Sequence, residues 1–122
     1  MPGNGALGEQ YATEYLAAQG YSIVGRNFHT RYGEIDIIAQ KGDILAFVEV
    51  KTRCVNALSQ PAEAVSISKQ KKLITAALGY LAQNPSDLQP RFDVIEIITK
   101  TKSAFNVVQI THLPGAFEVR ST

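Results

Sequence analysis

The chain predicts an α/β fold of the α+β kind, a mixed central sheet flanked by helices in the order α-β-β-β-α-β-β. Three observations carry that expectation. Two stretches show helical spacing of apolar residues, one closed by Gly20 and the other by Asn84-Pro85. Between them, residues 34–40 and 44–53 read as strands joined across Lys41-Gly42-Asp43, a strong hairpin signal. After the second helical stretch come two more short runs rich in Ile, Val and Phe.

Taken in order, residues 6–19 read as the first helix, with Gly20 just past its end. On a 3.6-residue wheel Glu9 shares a side with Ala6, Ala12 and Leu16, while Tyr11, Tyr15 and Ala18 form a larger apolar side. Glu9 therefore either points inward beneath small residues or lies on a solvated margin. Residues 21–29 read as the first strand, on the apolar content of Ile23, Val24 and Phe28, and Arg31-Tyr32-Gly33 as a turn. Ser59-Gln60-Pro61 marks a loop. The second helix runs from about Ser68 to Gln83, with Leu73, Ala77, Tyr80 and Leu81 as its stripe. Residues 92–100 and 105–111 read as the last strands, and a tail from about 113 as irregular. No repeat, low-complexity tract or linker divides the chain, so residues 1–122 are expected to form one domain.

At 45% hydrophobic and 19% charged residues, the composition suits a globular domain with a core. No apolar run is long enough to span a bilayer. Met1-Pro2-Gly3-Asn4-Gly5 lacks the basic start and apolar run of a signal peptide, so a cytoplasmic protein without a membrane partner is expected. Cys54 is the sole cysteine, which excludes an internal disulfide and a cysteine-built zinc site. A net charge of +1 argues neither for nor against nucleic acid, so any basic surface must be local.

The chemistry-bearing residues sit in the hairpin. Alternation along a strand puts Glu34 and Asp36 on one face of the first strand, and Glu49 and Lys51 together on the second, with Leu45, Phe47 and Arg53. With Gly42-Asp43 as a two-residue Gly-first turn, Lys41 pairs with Ile44, Asp36 faces Glu49 and Glu34 faces Lys51. A turn at Lys41-Gly42 would instead oppose Glu34 and Glu49. Either register gathers the acids and Lys51 on one face, with directly opposed Cβ atoms about 4.5–5.5 Å apart. Two carboxylates that close repel, and a hard divalent cation resolves the conflict. Mg²⁺ takes one or two carboxylates, keeps several waters and accepts phosphate oxygens. Such an ion activates water for phosphodiester hydrolysis, and Lys51 would orient or deprotonate that water or stabilise the transition state. A cross-strand ion pair between Glu34 and Lys51, contributing about 0–1 kcal/mol, is the simpler account of those two residues. It leaves Asp36 and Glu49, each enclosed by Ile or Val, unexplained.

Lys69, Lys71 and Lys72 crowd the first turn of the second helix, where cations oppose the helix dipole and an anion relieves the mismatch. With Lys51 and Arg53 they make five basic residues between positions 51 and 72, against the single acid Glu63. They read equally well as a phosphate-contacting patch and as a solvated lysine-rich face. Gln70 would orient phosphate or a metal-bound water, or simply be an exposed helix residue.

The segments Gly8-Glu9, Arg26-Asn27, Gly33-Glu34-Ile35-Asp36, Phe47-Val48-Glu49-Val50-Lys51-Thr52-Arg53, Lys69-Gln70 and Arg91-Phe92-Asp93-Val94 resemble the YraN-type family of bacterial proteins. That family in turn resembles Holliday-junction resolvases of the PD-(D/E)xK nuclease superfamily. The resemblance covers most of the chain and implies a restriction-endonuclease-like core. It implies Asp36 as the superfamily's first acid and Glu49-Val50-Lys51 as its (D/E)xK, with Ile35 where the motif's proline would stand. Asp36 and Glu49 would then hold Mg²⁺ or Mn²⁺, Val50 would lend its backbone carbonyl, Glu9 would complete the metal shell and Lys51 would assist the attacking water. Glu34, Arg53, Lys69, Gln70 and Lys72 would stand behind these residues or meet phosphate. DNA, branched junctions included, is the implied substrate, and a homodimer the implied assembly.

Arg91 and Asp93 share parity and are expected to brace the sheet as an ion pair. His29 and His112 stand too far apart in sequence to suggest zinc ligands, and no His-Asp arrangement supports Cys54 as a nucleophile. Tyr11, Tyr15 and Tyr80 read as packing residues. The leading expectation is thus a metal-dependent endonuclease acting on DNA. The alternative is a non-catalytic nucleic-acid-binding module that keeps the fold and the basic patch.

Overall fold

The computed structural model describes residues 3–55 and 65–119, so the loop read at Ser59-Gln60-Pro61 lies outside the described residues. Helix α1 (Asn4–Ala18) stops just before Gly20, whose φ of 96° is one that only glycine adopts cheaply. Strands β1 (Ser22–Thr30), β2 (Gly33–Lys41) and β3 (Ile44–Cys54) then form an antiparallel meander. Helix α2 (Ile67–Gln83) carries the chain back, so that β4 (Gln89–Thr99) pairs parallel to β3. A parallel neighbour requires such a crossover. Strand β5 (Val107–Phe117) closes the sheet antiparallel to β4, and the spatial order is β1-β2-β3-β4-β5.

One helix covers each face. On the α1 face, Ala12 and Leu16 pack with Ile37, Ala39, Ala46, Val48, Ile95 and Ile97. On the α2 face, Leu73, Ala76 and Ala77 meet Ile35, Ile38, Leu45, Phe47 and Phe92. Because both faces are covered, the central strands read as nearly continuous apolar runs, and a charge within them stands out. Helix α2 starts slightly before the sequence reading placed it: Ser66 caps it by accepting the Lys69 backbone N–H at 3.1 Å. Two close approaches fix the helices. A Cβ at Gly8 would collide with Thr52 Oγ1 on β3, and one at Gly33 would lie 2.8 Å from the Lys72 carbonyl oxygen.

The hairpin adopts the register expected from a Gly42-Asp43 turn, with Lys41 paired to Ile44. Gly42 has φ 59°, as the first residue of a type II′ turn requires. The chain end differs from expectation. Residues from 113 onward are strand, not irregular tail: Val94 pairs with Leu113 and Phe92 with Phe117, across a bulge. Pro114, which cannot donate to a ladder, sits on the edge strand where this is tolerated. Gly115, at φ 61°, absorbs the bulge, and its N–H donates to Asp93 Oδ1 at 3.0 Å. Phe117 then stacks on Phe92 with ring centroids 5.3 Å apart.

Candidate functional site

The regular β2–β3 ladder runs from Lys41–Ile44 to Ile37–Val48. At the next position Asp36 replaces a ladder bond with its side chain, Oδ2 accepting the Val50 backbone N–H at 2.8 Å. Alternation also breaks here. Ile35 packs on the α2 face and Ile37 on the α1 face, although two residues apart should share a face. Asn27, which falls opposite Asp36 between the pairs Arg26–Ile37 and Phe28–Ile35, carries the left-handed φ of 51°. Asp36 therefore sits in a twist where the strands part, within electrostatic reach of both helices.

Asp36 and Glu49 are 6% and 5% exposed, so both carboxylates are essentially out of water. Burial pushes Asp36 up to about 7; the Val50 N–H opposes that rise, while Glu49, Glu9 and Glu34 add to it. Glu9, half-buried on α1, is also raised, first by burial and then by Glu34 and Glu49, with Arg26 and His29 pulling the other way. The expected acids thus share one electrostatic environment. Glu34 departs from expectation in its partner. It does not meet Lys51 across the hairpin but pairs with His29 on β1, Oε2 to Nδ1 at 3.1 Å, because the β2–β3 ladder ends before reaching it.

The cation that touches this acid pair comes from α2. Lys69 Nζ lies 2.8 Å from Glu49 Oε1, and this hydrogen bond raises the lysine pKa against the opposing effect of burial. Lys51 is half-buried, stands beside Glu96 in the parallel ladder and makes no ion pair among the described residues. Arg53 reaches Glu96 at 3.5 Å. Gln70 donates to the Val65 carbonyl at 2.8 Å, bracing the turn that enters α2. The Lys72 side chain is exposed, one turn along from Lys69.

A second polar cluster joins residues that sequence reasoning left apart. Fully buried Asp93 receives two 2.8 Å bonds from Arg91, one at 2.8 Å from His112 Nε2 and the Gly115 N–H, while Arg91 also donates to Tyr21 Oη at 2.7 Å. Burial pushes the Asp93 carboxyl up, but these donors together hold it at about 2. The Arg91–Asp93 brace was legible from parity; no sequence signal pointed to Tyr21 or His112.

Asp36, Glu49 and the Val50 carbonyl offer hard oxygen donors where β2 and β3 part, which suits a hydrated Mg²⁺ or Mn²⁺ needing only one or two carboxylates. A cation there would offset the burial, and the added charge of the neighbouring acids, that raise Asp36. Among the described residues, no three His, Cys, Asp or Glu side chains are grouped to hold a metal ion, and Glu9 acts on the pair through its charge.

A five-stranded mixed sheet between two helices, in this element order, is consistent with a nuclease-like core. Comparison with known proteins places the chain within a family. The model of uncharacterised protein family UPF0102 matches residues 8–97. A UPF0102 protein of Syntrophotalea carbinolica is 45% identical over 116 residues, covering 94% of this chain and 91% of the relative. One from Chlorobaculum parvum is 46% identical over 118 residues, covering 94% and 92%. One from Symbiobacterium thermophilum reaches 51% over 94 residues, covering 76% and 80%. The chain belongs to this family, the YraN-type family. No helix among the described residues is long and apolar enough to cross a membrane.

Proposed function

We propose that this protein is a divalent-cation-dependent endonuclease that hydrolyses phosphodiester bonds in DNA, with branched DNA as the substrate class the resemblance favours. The observation that carries this reading is the pair of buried carboxylates, Asp36 and Glu49, compensated among the described residues by one backbone N–H and one partly exposed lysine. Buried charge so weakly served is costly unless it has a task.

Asp36, Glu49 and the Val50 carbonyl would hold Mg²⁺ or Mn²⁺, with Glu9 close enough to add its charge. Bound there, the ion would supply an activated water and neutralise charge developing at phosphorus. Lys51, two residues beyond Glu49 and without an ion pair among the described residues, has its ammonium available for the water or a phosphate oxygen. Lys69, Lys71 and Lys72, at the start of α2, form the surface that meets the phosphodiester backbone. Symmetric cutting of a four-way junction would further require two copies of this site, and hence a homodimer.

The test is nicking of linear, flapped and four-way DNA in Mg²⁺ or Mn²⁺. Cleavage should be lost in Asp36→Asn and Glu49→Gln and fall at least about 10²-fold in Lys51→Ala. Activity unchanged in Asp36→Asn or Lys51→Ala would sink the mechanism. One observation favours a second reading, a non-catalytic DNA-binding module: Lys69 already neutralises Glu49. That reading predicts salt-sensitive DNA binding and no cleavage with any metal.

A further inference from the structure

We infer that Lys69 is a tethered counter-ion of the acid pair, holding Glu49 in the metal-free protein and leaving it when a divalent cation binds. The inference rests on the reading of Asp36 and Glu49 as metal-holding residues. It begins from an asymmetry within one ion pair. The Glu49 side chain is 6% exposed, whereas that of Lys69 is 53% exposed, with 2.8 Å between their charged atoms. The carboxylate is fixed in the sheet, and the ammonium reaches it from solvent on a flexible stem.

The backbone beneath Lys69 is held in place. Ser66 caps its N–H, Gln70 ties down the Val65 carbonyl, and the Lys72 carbonyl lies against Gly33 with no room for a side chain. Departure from Glu49 is thus a rotamer change of one exposed side chain and requires no movement of α2. A divalent ion on the same carboxylate favours that departure, because the ammonium and the ion are like charges a few ångströms apart.

Where Lys69 goes links metal to substrate. It belongs to the first turn of α2, where the helix dipole disfavours a cation and a bound phosphate compensates. A phosphodiester lying across that turn would take up the ammonium that the metal displaces. Metal and substrate would then favour the same position of Lys69, and each would tighten binding of the other by the same factor. This gives Lys69 a task distinct from that of Lys51, which serves the reacting water.

Two measurements test this. In Mn²⁺ titrations followed by electron paramagnetic resonance, Lys69→Met should bind at least about tenfold more tightly than wild type, because a like charge beside the ion is gone. Lys69→Arg should stay near wild type, and Asp36→Asn should abolish binding, which places the ion. In the unmodified protein, acetylation read by mass spectrometry should rise several-fold at Lys69 when Mn²⁺ saturates, while Lys71 and Lys72 are unchanged. This readout decides the matter even if Lys69→Met does not fold. Equal Mn²⁺ affinity in wild type and Lys69→Met, or Lys69 acetylation indifferent to bound Mn²⁺, overturns the counter-ion role and leaves the metal site standing. No Mn²⁺ binding by either protein overturns the reading beneath it.

Discussion

Asp36→Asn should stabilise the metal-free protein at pH 8 and leave it nearly unchanged at pH 4. Asparagine has the same shape, and its carbonyl oxygen can still accept the Val50 N–H that Asp36 takes at 2.8 Å. What disappears is a buried charge. Burial, reinforced by Glu49, Glu9 and Glu34, pushes the Asp36 carboxyl from 3.8 up to about 7. A carboxylate whose folded pKa is raised contributes stability that is complete below about pH 3.8 and is lost as the pH rises through about 7. At about 1.36 kcal/mol per pH unit, that rise corresponds to roughly 4 kcal/mol, and relaxation of a site with some access to water brings the expected gain to about 2–4 kcal/mol. Urea denaturation of both proteins in EDTA at pH 4, 6 and 8 reads this, since groups not coupled to Asp36 cancel in the difference between variants. Adding Mg²⁺ at pH 8 should stabilise the wild type and not Asp36→Asn, because only the aspartate has a penalty for the ion to relieve. Equal stability at pH 8, or a difference that grows toward pH 4, would refute the reasoning.

Three further outcomes follow from the geometry. Asp93→Ala strands the Arg91 guanidinium and should cost about 3–5 kcal/mol in urea denaturation at pH 7, and a loss below about 1 kcal/mol would show that the cluster braces nothing. The Asp93 contribution has the opposite pH sense to that of Asp36: held at about 2, it is present above about pH 3.8 and lost as the pH falls through about 2, which acid unfolding of wild type against Asp93→Asn will reveal. Gly8→Ala drives a methyl into Thr52 Oγ1 and should cost about 1–3 kcal/mol by thermal denaturation, whereas Gly5→Ala, with open space at its Cβ, should be neutral or mildly stabilising.

The parts of this fold that were legible in the sequence are those set by near neighbours. The hairpin register follows from a glycine that can adopt φ 59° and from two strands of fixed parity, so the Lys41–Ile44 pairing could be counted in advance. The prominence of Asp36 and Glu49 follows from their enclosure by β-branched residues. The parts that were not legible depend on distant partners. Pro114-Gly115 reads locally as a breaker, yet the strand continues because Gly115 donates to Asp93 and Phe117 stacks on Phe92, both more than twenty residues earlier. His112 meets Asp93 only because the β4–β5 pairing sets it opposite Ile95, two residues along the same face of β4. Lys69 meets Glu49 only because the β3–α2–β4 crossover aims the first turn of α2 at the end of the hairpin. Strict alternation, which carried the sequence reading to Asp36, fails at Asp36 itself, where Asn27 twists the neighbouring strand.

That failure bears on function, because this one sheet treats its buried aspartates in opposite ways. Asp93 and Asp36 are 0% and 6% exposed, so desolvation penalises both. Around Asp93 the fold supplies a guanidinium fork, an imidazole and a backbone N–H, and the carboxyl falls to about 2. Around Asp36 the described residues supply one backbone N–H and gather three further acids, and the carboxyl rises to about 7. A fold able to satisfy a buried carboxylate so completely on its α1 face shows that the deficit at Asp36 is no general weakness of its core. Arginine, histidine and glycine donors are all within its means. At Asp36 and Glu49 the arrangement suits a partner that comes and goes, as the proposed cation would, and the lysine standing in contact with Glu49 is attached by a stem long and exposed enough to give way to it.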